Sequence, residues 1–117
     1  MAIRAHTTLD GSVGTKVIQW TGLLNGDTGE PYEFSGRYAD KSVQVSGTFG
    51  TGGKCVVEGS NFVSSPVWAT LNDAQGSALE IIAAKIKQVL ENTNQIRPNI
   101  TAGDGTTSLT VTMCISS

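Results

Sequence analysis

The chain contains one histidine, His6, and two cysteines, Cys55 and Cys114. A structural zinc site draws four ligands from His, Cys and carboxylates at close spacing, so two distant cysteines and one histidine exclude it. A nucleophilic triad needs a base oriented by a third group, and the only histidine lies in a polar stretch near the start, which argues against one. No apolar run approaches the roughly 20 residues of a membrane helix. The start Met1-Ala2-Ile3-Arg4 lacks the basic and apolar stretches of a secretion signal. The expectation is a protein that stays where it is made or in the particle it joins, with no membrane partner.

Charge of one sign is also missing. The 8 basic and 10 acidic residues are scattered without runs and leave a formal charge of -2, so there is no electrostatic footprint for nucleic acid. Both cysteines sit in apolar strand-like runs, where a thiol behaves as a small hydrophobe, and they are expected as buried free thiols. The acids Asp10, Asp27, Asp40, Asp73 and Asp104 nearly all stand beside Gly, Ser, Thr or Asn, where Asp shapes turns, so no catalytic residue is assigned. The glycine-rich run 47–53 has no Lys and no following helix to cradle a phosphate. Neither Asn25-Gly26-Asp27 nor Gly103-Asp104-Gly105 has the spacing of a calcium loop. No cofactor or metal is expected.

What is abundant is glycine, 14 of 117 residues, accompanied by Ser, Thr, Asn and Asp at the spacing of turns between short strands. One domain of ordinary size fits this length. The fold class is all-β, a single-domain β-sandwich or jelly-roll-like fold over 15–117, preceded by a flexible arm over 1–14 that has no apolar periodicity. A jelly roll and an immunoglobulin-like sandwich share this turn grammar.

Thr15 to Trp20 reads as a first strand, and Tyr32 and Phe34 alternate with polar neighbours. In Ser42 to Phe49, Val43, Val45, Gly47 and Phe49 share one side. Gly50-Thr51-Gly52-Gly53 reads as a hairpin turn leading to Lys54–Glu58, and Val67–Leu71 as the next strand. Leu109, Val111, Met113 and Ile115 alternate in a last strand expected to be central or well covered. Between them, Leu79, Ile82, Ala83, Ile86, Val89 and Leu90 fall at helical spacing behind the capping pattern Ser77-Ala78-Leu79-Glu80, so a short helix within 77–91 competes with two strands, Leu79–Ile82 and Ile86–Leu90.

Trp20 and Trp68 suit core packing or a subunit contact, and would serve sugar binding only if exposed. With Trp20, the candidate partner-interface residues are Ile3 and Arg4 in the arm and Phe62 and Val63 in the loop before Trp68.

The stretches Tyr38–Gly50, Val57-Glu58-Gly59-Ser60-Asn61, Trp68–Asp73, Gln95-Ile96-Arg97-Pro98 and Gly103–Val111, taken in that order, resemble small structural proteins of tailed bacteriophages and prophages. The resemblance spans Asp27 to Val111 and departs at Phe62-Val63-Ser64-Ser65-Pro66, where the family pattern has a short Asp/Gly turn. It implies a virion structural protein, a capsid cement or decoration protein without catalytic residues. Such a protein would sit on the capsid exterior after assembly in the host cytoplasm. Its partners would be the major capsid protein and copies of itself, as a dimer or trimer. A tail or neck accessory and a carbohydrate-binding module of a phage fibre are the competing roles.

Overall fold

A computed structural model describes residues 2–9, 14–34 and 40–116. Among these residues twelve strands follow in order: β1 (Ile3–Arg4), β2 (His6–Leu9), β3 (Thr15–Leu23), β4 (Thr28–Gly29), β5 (Tyr32–Glu33), β6 (Asp40–Thr48), β7 (Lys54–Ser60), β8 (Ala69–Thr70), β9 (Glu80–Ile81), β10 (Lys85–Val89), β11 (Gln95–Ala102) and β12 (Ser108–Ser116). They form a five-stranded sheet in the order β10-β6-β12-β3-β2 and a seven-stranded sheet in the order β1-β4-β11-β7-β8, with β5 also on β11 and β9 also on β7. There is no helix among the described residues.

From β3 onward the chain passes repeatedly from one sheet to the other, and strands far apart in sequence become neighbours. β12 lies between β3 and β6, and β11 between β4 and β7. That is jelly-roll connectivity, in which two Greek keys fold over each other. Alternation dictates the packing: Ile18, Trp20, Val43, Val45, Val111, Met113 and Ile115 point inward from the five-stranded sheet, and Cys55, Val57, Ile96 and Ile100 meet them from the other.

Two sequence expectations change in this frame, and the open choice between a helix and two strands is decided. Lys54–Glu58 is not the hairpin partner of the preceding strand. Both edges of β6 are taken, by β12 and β10, so β7 crosses to the other sheet and pairs with β11. The glycine turn is the corner: Gly50 and Gly52 have φ of +70° and +72°, and Asp104 and Thr107 tie it down through Thr51 N and the Phe49 carbonyl. The helical stripe does not form. Ile81 is buried on β9 against Cys55, whereas Ile82 and Ile86, which a helix would bury, are 63% and 60% exposed. The two-strand reading holds, with β9 and β10 on different sheets. The second change is at β12, which is central but covered on one side only, and Cys114 is exposed, not buried. Both thiols are free, and burial pushes that of Cys55 up to about 12.

The stretch expected as an arm carries two strands. β1 pairs in parallel with β4 and β2 antiparallel with β3. The buried Asp27 carboxylate gathers the backbone N–H groups of Ala2 and Leu24, at 3.0 and 2.9 Å, and the Arg4 Nε at 2.9 Å. Edge strands anchored by backbone bonds and one buried acid need no apolar periodicity. The remainder of 1–14, residues 1 and 10–13, including Asp10, lies outside the described residues.

Candidate interaction surface

Where β7 ends, Ser60 is buried and its hydroxyl organises the loop that follows. Its Oγ accepts from the N–H groups of Phe62 and Val67, each at 3.1 Å, and donates to the Phe62 carbonyl at 3.3 Å. The register of β7 with β11 sets Gln95 opposite Ser60, and the Gln95 Nε2 donates to the carbonyls of Phe62 at 2.7 Å and Val63 at 3.3 Å. Asn94 Nδ2 donates to the Asn61 carbonyl at 2.7 Å. Ser65 turns the chain with φ of +53°, in the left-handed region. Held from below at the carbonyls of residues 61–63 and the N–H groups of Phe62 and Val67, the loop leaves Phe62, Val63 and Val67 facing solvent, at 59%, 51% and 67% exposure.

Trp68 closes the loop over the outer face of the seven-stranded sheet. Arg97 stacks on its ring at 4.2 Å from the centroid, and the Arg97 Nε also contacts the Glu58 carboxylate at 3.0 Å. Asn99 Nδ2 adds a longer bond to the same carboxylate at 3.4 Å. Apolar side chains thus sit on a polar base whose groups are paired, beside a Trp and an Arg, the residue types that dominate binding energy at protein interfaces.

Of the residues expected at an interface, Phe62 and Val63 lie in this loop and Ile3 is exposed on β1. Arg4 is engaged with Asp27. Trp20 is not at the surface: it is completely buried, its Nε1 donates to the Glu30 carbonyl at 3.0 Å, and its ring packs T-shaped with that of His6. It fills the core because β3 turns its even-numbered residues inward beside Ile18. The five do not form one patch, since β1 lies at one edge of the seven-stranded sheet with β4 and β11 between it and β7. Sequence reasoning missed Ser60, Gln95 and Arg97, whose roles come from cross-strand register. The run Pro66-Val67-Trp68 did carry a signal, three apolar residues, but they lie in the loop, and the strand expected over Val67–Leu71 is confined to Ala69–Thr70.

Trp20 offers no platform for a sugar, and one face of Trp68 is taken by Arg97. Asp27, Asp73 and Asp104 bind backbone N–H groups in turns, as their neighbours predict, whereas Asp40 begins β6. The Asp104 carboxyl is held well below the usual carboxylate range, first by the Thr106 hydroxyl and then by the Thr51 and Thr106 N–H groups. For Asp27 burial works the other way, but the bonds from Leu24, Arg4 and Ala2 outweigh it and its pKa is lowered too. Among the described residues no three of His, Cys, Asp and Glu gather where they could hold a metal ion.

No protein-family model matches the chain, and no curated protein sequence matches it. Among solved structures, the SPBc2 prophage-derived protein YomS superposes with a TM-score of 0.65 at 12% identity, covering 88% of this chain and 95% of that one. An RmlC-like cupin protein from Desulfovibrio desulfuricans gives 0.49 at 10% identity, over 95% of this chain and 79% of that one. KdgF from Halomonas sp. gives 0.45 at 10% identity, over 96% and 77%. At these identities the likeness to YomS is one of fold.

Proposed function

We propose that this chain is a virion structural protein that stabilises a phage capsid from its exterior by binding across capsid subunits, as a cement or decoration protein does. The observation that carries the reading is the loop 61–68, which exposes Phe62, Val63 and Val67 on a base ordered by Ser60 and Gln95. A loop already ordered before contact loses little conformational entropy on binding, and its apolar tip gains on leaving water. The shared fold with a prophage-derived protein supports the setting. The net charge of -2 without basic runs is in keeping with a protein partner rather than a packaged genome.

Cryo-electron microscopy of particles from cells that carry the gene tests this directly. The expected result is copies at regular positions on the capsid lattice, with loop 61–68 against the shell, and their loss when the chain carries Phe62→Asp and Val67→Asp. Density confined to one vertex would instead make the chain a tail or neck accessory. Absence from the particle would overturn the virion assignment.

A further inference from the structure

The outer face of the five-stranded sheet is almost without charge. Its three central strands present Gln19 from β3, Ser42 and Gln44 from β6, and Thr110, Thr112 and Cys114 from β12. The flanking strands add Leu9 and Ile86, both exposed. Among the strand residues whose register points them outward here, only Asp40, at the rim, is charged, although 18 of the 117 residues of the chain are Lys, Arg, Asp or Glu. The lysines of β10 do not break the pattern, because Lys85 and Lys87 stand opposite Val45 and Val43, on the inward-facing side of the strand.

We infer that this face is a self-association surface, on which a second copy of the chain packs sheet against sheet about a two-fold axis. Depletion of charge is what sets interface cores apart from ordinary surface. Near a two-fold axis each residue meets its own counterpart, so any charge there would face its like, and a face of Ser, Thr and Gln avoids that repulsion while keeping hydrogen-bonding groups for the partner. The size suits a pair. β3, β6 and β12 are nine residues each and β10 and β2 five and four. At strand spacings of about 4.8 Å and a rise of about 3.3 Å per residue they present roughly 600 Å² per copy. Two copies then bury roughly 1,200 Å², the lower bound of stable interfaces. Loop 61–68 belongs to the other sheet and stays free for a different partner. The pairing is independent of the capsid reading, and its test involves no particle.

Sedimentation equilibrium of the full chain over a wide concentration range reads the outcome. The wild type is expected to run at twice 12.2 kDa when concentrated. Thr112→Lys, at the centre of the face, is expected to raise the dissociation constant about a hundredfold or more, since like charges then meet across the axis. Thr112→Val keeps the face neutral and should still dimerise, and Gln44→Lys on the neighbouring strand repeats the test should Thr112→Lys fail to fold. Cys114 supplies a second readout: its maleimide labelling should slow as the wild type is concentrated and should not do so in the lysine variants, while the buried Cys55 contributes nothing. A wild type that remains at 12.2 kDa at every concentration, a trimer, or a dimer indifferent to both lysine variants would overturn the inference.

Discussion

Arg97 holds its guanidinium 4.2 Å from the centre of the Trp68 ring and at the same time reaches the Glu58 carboxylate at 3.0 Å. The two contacts fasten the end of the exposed loop to the sheet beneath it. Arg97→Ala removes both and leaves the largely covered Glu58 with only Asn99, and should cost about 1–2 kcal/mol in urea unfolding. Because Trp20 is buried and Trp68 half-exposed, the same variant should make tryptophan fluorescence more accessible to iodide. Arg97→Lys keeps a charge but not the planar stack, and should fall between.

Asp27 joins β1 to the turn before β4. Asp27→Ala leaves the Ala2 and Leu24 N–H groups and Arg4 without their acceptor, and a loss of about 1–3 kcal/mol is expected, with amide exchange rising first over residues 2–4.

Acid should act through the same kind of group. The folded-state pKa values of Asp27 and Asp104 lie below the ordinary 3.8, so between the folded and ordinary values the unfolded chain binds more protons. The stability these carboxylates contribute is complete above the ordinary range and is lost as pH falls through their folded values. Chemical denaturation between neutral pH and pH about 2 should therefore show stability falling below about pH 4. Asp104→Asn should be less stable near neutrality and less sensitive to acid.

The two thiols should separate cleanly in a reactivity assay. Cys114 is exposed on the sheet face and should react with a disulfide reagent in the native, dilute protein, whereas Cys55, buried and with its pKa pushed up to about 12, should react only on unfolding. Two native equivalents would contradict the fold.

Gly29 tests the core from the backbone side. A Cβ there would lie 2.5 Å from Pro98 Cδ and 2.7 Å from Trp20 Cδ1, so Gly29→Ala should destabilise by about 1–3 kcal/mol despite adding one methyl.

Much of this architecture is legible locally. The alternation in 42–49 and 109–115 picks out β6 and β12 with their inward faces, and the turn residues around Asn25, Gly50 and Asp104 mark real corners. Asp73 and Asp104 are recognisable as turn residues by their neighbours alone. Of the interaction surface, Phe62 and Val63 are legible as residues of the loop before Trp68 that departs from the family pattern, but nothing local distinguishes them from Trp20, which is just as apolar and lies in the core.

Side-chain alternation, turn chemistry and the shortage of charge and histidine depend on neighbours in the chain, so the sequence by itself determined the all-β class, most strand positions and the turn roles of Asp27, Asp73 and Asp104. Which strand pairs with which was decided only by the tertiary structure. A glycine corner joins strands equally well within a sheet or between two, and closing β6 against β12 and β10 left β7 to the opposite layer. The same long-range pairing set Gln95 beside Ser60 and Arg97 beside Glu58, and turned 79–90 from a helical pattern into two strands, because a strand edge supplies backbone partners that local propensity cannot count.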